Sequence, residues 1–232
     1  MNLKPHTLSV FDREINELRT LVLTMGREVE AQVQRAVEGV RTGNTDLLEA
    51  VRSKEKEINA EDREVFEKTV QLIVRNAPTA SDLRLALATM QIATDLERVG
   101  DEAKKIAKAG LRLLERQPSF TPSVELDLIT RTGVEMLHAA LDLYARLEDD
   151  QASEILARDK EVDRMFKGIL RELITYMMED PRTISQSIEL VFIAKALERV
   201  GDHAKNIVEH VIYVVEGKDV RYRGSPPPQA EA

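Results

Sequence analysis

Hydrophobic residues recur every three or four positions along nearly the whole chain, which is the period of amphipathic α-helices. Alternation of β-branched and polar residues is absent, and the few glycines and prolines fall between the periodic stretches. The pattern therefore predicts an all-α protein with six helices, at about 12–42, 45–76, 79–116, 122–149, 152–179 and 182–216.

One motif of the predicted third helix returns in the sixth. The hexapeptide Leu-Glu-Arg-Val-Gly-Asp occupies residues 96–101 and again 197–202, an offset close to half of the chain. The likeness continues at Ala103, Lys104 and Ile106, which recur as Ala204, Lys205 and Ile207. Internal repetition of this kind indicates a duplicated structural unit.

The duplication and the turn signals together predict two tandem, pseudo-repeated three-helix bundles whose six helices run antiparallel to their neighbours. The seam falls in the Pro- and Ser-containing link near Pro118, so the repeats are 1–117 and 118–222. Residues 223–232 are proline-rich and polar and have few apolar residues to offset their ordering entropy. We expect them to form a disordered tail.

Composition narrows the functional classes. The net charge of −8 argues against a nucleic-acid partner, because such proteins usually present a basic face to the phosphates. With no cysteine, the chain has neither disulfides nor thiolate metal ligands. No apolar stretch approaches the roughly 20 residues that cross a bilayer, and the N-terminus shows no signal core. We expect a cytoplasmic protein.

Acidic pairs extend the apolar stripes of the two repeated helices. Glu97 and Asp101 are four residues apart, in line with Met90 and Ala93, and Glu198 and Asp202 repeat this arrangement. Like charges at this spacing repel each other, and more so when they are partly buried. A compensating positive charge is implied.

The preceding helices supply matching pairs at Asp159 and Asp163 in the second half and at Glu55 and Asn59 in the first. In an antiparallel hairpin about Pro78, Glu55 lies level with Asp101, and Asn59 with Glu97. In the second half, Asp159 lies level with Asp202, and Asp163 with Glu198, about the turn at residues 180–181. One register therefore predicts two clusters on facing helices.

Carboxylate clusters without cysteine suit oxygen-seeking cations such as Mg²⁺, Ca²⁺ or Mn²⁺, with Fe and Zn also possible. The predicted second cluster has four acids, whereas the first has three acids and the amide of Asn59. We therefore expect tighter divalent binding in the C-terminal half. Gly100 and Gly201, inside the repeated helices, are interpreted as packing devices for a neighbouring helix.

The alternatives are a solvated acidic face, with Arg98 and Arg199 as ion-pair partners, and a carboxylate-bridged metal enzyme. A di-iron oxidase is disfavoured because it needs two Glu-x-x-His motifs and the chain has one, at Glu135 and His138. His203 has no histidine at its repeat position, so it is interpreted as a surface or second-shell residue. No nucleophile motif or phosphate-cradling loop is present.

Four segments are recognisable as family motifs: Ala-Ser-Asp-Leu-Arg at 80–84, Asp-Leu-Glu-Arg-Val-Gly-Asp at 95–101, Tyr-Met-Met-Glu-Asp-Pro at 176–181, and the sequence from Leu197 to Ile207. Through them the chain resembles, from about residue 11 to 222, the PhoU family of phosphate-transport regulators. The family's Glu/Asp-x-x-x-Asp metal motif maps onto Glu97 and Asp101, Glu198 and Asp202, and Asp159 and Asp163, whereas Asn59 departs from it.

The resemblance implies a cytoplasmic, non-enzymatic adaptor, usually oligomeric and expected here to be a homodimer. It would contact a phosphate ABC transporter through its ATPase subunit and a sensor histidine kinase, and it would meet the membrane only through these partners. When phosphate is plentiful, such a protein restrains uptake and keeps the phosphate-starvation regulon silent. A metal buffer or helical scaffold without a signalling role is the remaining alternative.

Overall fold

A computed structural model describes residues 5–115 and 124–220, with side chains from Val10 onward. Those residues form six long α-helices and no strand, which confirms the predicted fold class. The helices are α1 (Pro5–Thr42), α2 (Thr45–Asn76), α3 (Ala80–Glu115), α4 (Leu126–Arg146), α5 (Ala152–Glu179) and α6 (Ile184–Glu216).

The turns between helices depend on local backbone chemistry. Asn44 caps α2 by accepting a hydrogen bond from the backbone N–H of Leu47 at 3.0 Å. Gly43, before that cap, takes the left-handed conformation that glycine adopts without strain. Asp180 begins the short 3₁₀ turn Pro181–Thr183 that leads into α6. This turn is the main departure from the predicted helix 182–216.

Helices α1, α2 and α3 pack on one another, and so do α4, α5 and α6. The two sets join where α3 meets α6 and α1 meets α4. Both α3 and α6 bury residues on several faces, and the core runs through both sets as one cluster. The repeated helices are therefore the central elements.

The motif glycines lie where helices approach closely, as predicted for packing devices. A Cβ added to Gly100 would meet the side chain of Ile58 at 3.0 Å, and one on Gly201 would meet Val162 at 3.4 Å. Each contact joins the repeated helix to the helix before it. The predicted seam at 117/118 and the tail 223–232 lie outside the described residues and stay predictions.

Candidate metal centres

The first acidic cluster lies between α2 and α3. The hydroxyl of Thr94 donates to Asp62 at 3.2 Å, and both residues are sixteen positions from Pro78, in agreement with the predicted hairpin register. Glu55, on α2, forms an ion pair with Lys104 at 2.8 Å. Asn59 donates its amide N–H to the same carboxylate at 2.9 Å.

The second cluster repeats this arrangement between α5 and α6. Lys205 forms an ion pair with Asp159 at 3.0 Å, at the repeat position of Lys104. Glu198 is buried and forms an ion pair with Lys195, whose Nζ lies 2.6 Å from Oε1. Asp163 is half-buried and, among the described residues, takes part in no hydrogen bond or ion pair.

The pKa shifts show how the carboxylates influence one another. Burial first, and then repulsion from Asp101 and Asp62, raise the pKa of Glu97. Burial and repulsion from Glu198 and Asp159 raise the pKa of Asp202. The hydrogen bond from Lys104 lowers the pKa of Glu55. The structure therefore brings acids of facing helices within electrostatic range, and lysine supplies part of the compensating charge.

Both clusters border one depression of about 610 Å³ where α3 meets α6. Glu97 and Asp101 line it from the first repeat, and Asp202 lines it from the second. Helix periodicity alone did not predict this shared border, because it depends on how the two repeats pack together.

A match to a protein-family model shows the family of this chain. The family model described as PhoU domain matches residues 22–110 and again residues 126–211. The chain belongs to the PhoU family. The two matched segments fall in the two helical repeats.

Curated relatives of this PhoU family member match nearly the whole chain. The Phosphate-specific transport system accessory protein PhoU homolog of Pseudomonas aeruginosa is 42% identical over 223 residues, which cover 96% of this chain and 92% of that protein. The Phosphate-specific transport system accessory protein PhoU of Escherichia coli K12 is 38% identical over 226 residues, covering 97% and 92%.

Two crystal structures share the fold. PhoU from Pseudomonas aeruginosa superposes with a TM-score of 0.86 at 42% identity, covering 90% of this chain and 100% of that one. The phosphate transport system regulatory protein PhoU from Streptococcus pneumoniae gives 0.83 at 28% identity, covering 90% and 99%. No helix among residues 5–115 and 124–220 of this PhoU family member is long and apolar enough to cross a membrane.

The donors of the first cluster fit a hard cation. The side-chain oxygen of Asn59 is buried and has no hydrogen-bond partner among the described residues, so this residue has an oxygen atom without a donor. With the side chains as they stand, no group of three or more His, Cys, Asp or Glu in those residues is already arranged around a metal position. Carboxylates such as Glu55, which Lys104 holds, would have to turn towards a bound ion.

Two acids near the clusters were not predicted from the sequence. The predicted first cluster has three acids, and Asp62, about one helical turn beyond Asn59, makes four. Asp95, on α3, is 7% exposed and accepts hydrogen bonds from His203 at 3.0 Å, Asn206 at 3.1 Å and His210 at 3.2 Å on α6. Extending the hairpin register by one turn would have found Asp62, whereas Asp95 depends on contact between the repeats.

The other residues considered from sequence lie as follows. His203 binds Asp95, in keeping with a supporting position. Glu135 pairs with Arg158, whereas His138 contacts Glu30, so the single Glu-x-x-His motif is not assembled into a joint site. Arg199 approaches the buried Glu102 at 3.5 Å rather than Glu198. Arg98 acts on Glu97 only as a nearby charge that lowers its pKa.

Proposed function

We propose that this PhoU family member is an accessory protein of phosphate transport, acting in the cytoplasm as a regulatory adaptor and not as an enzyme. It would contact the ATPase subunit of a phosphate ABC transporter and a sensor histidine kinase. The observation that carries the proposal is the nearly full-length similarity to proteins named phosphate-specific transport system accessory proteins.

The acidic clusters would bind divalent or transition metal ions such as Mg, Mn, Fe or Zn. In the first repeat the ligands would come from Glu55, Asn59, Glu97 and Asp101, joined by Asp62; in the second they would come from Asp159, Asp163, Glu198 and Asp202. A bound cation would link the two helices of each hairpin and relieve the carboxylate repulsion that raises the pKa of Glu97 and Asp202. The orphaned oxygen of Asn59 supports this assignment.

The charges around the clusters favour the opposite order of cation affinity from the one expected from the sequence. Asp62 gives the first cluster a fourth acid, and Lys195 neutralises Glu198 in the second. A cation arriving at the second cluster must displace that lysine. We therefore propose the tighter site in the first repeat.

Deleting the gene in its native host tests the adaptor role. A reporter of phosphate-starvation genes is expected to rise in phosphate-rich medium and to return to baseline when the chain is supplied in trans. The variant Glu172→Ala, at an exposed position on α5, serves as the matched control and should restore repression fully. An unchanged reporter after deletion would contradict the proposal.

A cluster variant then separates the metal assignment from the adaptor role. In Glu97→Gln/Asp101→Asn, both carboxylates lose their charge while their size is kept. We expect loss of one Mn²⁺ site in calorimetry. Unchanged stoichiometry and heat would exclude these residues as ligands, whatever the reporter shows.

A further inference from the structure

A basic groove lies between α3 and α6, next to the shared acidic depression. It has a volume of about 370 Å³ and is lined by Lys105, Lys108 and Arg112 from α3 and by Lys195 and Arg199 from α6. A concentration of five cations is unexpected in a chain of net charge −8. The groove therefore departs locally from the charge of the whole protein.

Direct ion pairs hold only part of this positive charge. Lys105 and Arg199 share one acid, the buried Glu102, at 2.7 and 3.5 Å. Arg112 forms a two-pronged contact with the buried Glu189, and its nearest oxygen lies at 2.7 Å.

Lys195 pairs with Glu198, whereas Lys108 has no hydrogen bond or ion pair in the part of the chain that the structure describes. Four of the five cations therefore pair directly with three carboxylates. Glu115 acts on Arg112, and Glu55 on Lys108, only as nearby charges, so no carboxylate of the described residues holds the ammonium group of Lys108 in place.

The spacing of the cations fits an extended anion. Lys105, Lys108 and Arg112 follow one stripe of α3 and span seven residues, or about 10 Å at the rise of an α-helix. Arg and Lys side chains converging from two helices are the donors that proteins use for phosphate groups. A site of this size is also typical of small ligands.

Phe192 adds an apolar surface at the same groove. It is 55% exposed, although large aromatic side chains usually bury most of their area. An exposed ring beside a row of cations can stack with a nucleobase while the cations hold phosphates.

We propose that this groove binds a small anion with two or more phosphate groups, either free as a polyphosphate or esterified in a nucleotide. The groove uses none of the proposed metal ligands, although its Lys195 pairs with Glu198 of the second cluster, and it goes beyond the proposed adaptor role. The adaptor role does not require an anion site. A negative result in the anion-binding test would therefore leave the adaptor proposal, which the reporter experiment tests, unchanged.

Calorimetry on the full chain without metal, in EDTA, tests the site with pyrophosphate and ATP. Both are expected to bind, more weakly as salt rises. The double variant Lys108→Gln/Arg199→Gln should weaken binding at least tenfold, the scale expected for lost charge-assisted hydrogen bonds. The matched control is Lys160→Gln, an exposed lysine of α5 that also lacks a paired partner among the described residues, and it should bind as the unmodified protein does.

Further arms identify the ligand. If Phe192→Ala weakens the binding of ATP but not of pyrophosphate, the ligand is a nucleotide. If it changes the affinity for neither probe, the site recognises the phosphate groups alone. The proposal is overturned if neither probe binds at millimolar concentration, if citrate binds as tightly as pyrophosphate, or if Lys160→Gln weakens binding as much as the double variant.

Discussion

The two acidic clusters share one framework but differ in the residues around it. In both, a lysine of the repeated helix holds an acid of the preceding helix, Lys104 with Glu55 and Lys205 with Asp159. At another pair of matched positions the chemistry changes. Thr94 donates to Asp62 in the first repeat, whereas Lys195 lies over the ring of Phe166 at 5.3 Å in the second.

This difference shows which parts of a duplicated unit are free to diverge. Gly100 and Gly201 both lie directly against the facing helix, where an added Cβ would meet Ile58 at 3.0 Å and Val162 at 3.4 Å. The positions of Asp62 and Phe166 lie at the edge of the hairpin, where an acid or a ring can be accommodated. Packing therefore preserves the repeat, while charge distinguishes the two sites.

The largest expected effect concerns Asp95, whose repeat position holds Ala196. Asp95→Ala removes the acceptor shared by His203, Asn206 and His210 and should lower the free energy of unfolding by about 3 kcal/mol. Urea denaturation measures it, with Glu172→Ala as an exposed control. A loss no larger than that of the control would show that this contact does not hold the repeats together.

The contribution of Asp95 to the free energy of unfolding depends on pH. Burial would raise the pKa of Asp95, but hydrogen bonds from His203, His210 and Asn206 outweigh it and hold the pKa at about 2. Since the folded pKa lies below the unfolded one, the stabilisation is complete above about pH 4. The advantage over Asp95→Ala should shrink as pH falls towards 2. A constant difference between pH 7 and pH 2 would contradict this.

Two charge changes test the contrast between the clusters. Asp62→Asn keeps an acceptor for Thr94 but removes a negative charge, and should weaken Mn²⁺ binding at the first cluster roughly tenfold. Lys195→Gln releases Glu198 and should strengthen binding at the second cluster by a smaller factor. Calorimetry compares both with Lys160→Gln. Equal affinities in all three proteins would remove the proposed difference.

The smallest effect is expected at the motif glycines. Gly201→Ala should raise the free energy of unfolding by roughly 0.5–1 kcal/mol, because alanine favours the helix and its Cβ would lie in ordinary contact with Val162. Gly100→Ala should gain less, since Ile58 must shift. Thermal unfolding of both variants measures these changes in stability. A larger gain for Gly100→Ala than for Gly201→Ala would contradict the closer approach of the helices at Gly100.

Sequence patterns were sufficient for the six helices and for the register of the first hairpin, in which Thr94 contacts Asp62 at an equal distance from Pro78. In the second hairpin, the repulsion between Asp159 and Asp202 agrees with the predicted register. Contacts between the repeats were not accessible in the same way. Asp95 looks like one acid among many in a chain with 32% charged residues, and only the packing of α3 on α6 shows that it is buried.

The depression at the centre of the molecule has a consequence for ion binding. Asp101 and Asp202 belong to different repeats but line one depression, together with Arg98, Lys105 and Arg199. If the clusters bind ions as proposed, a cation held at one repeat would reduce the negative potential that draws a second cation to the other repeat. Successive ions would then bind with falling affinity.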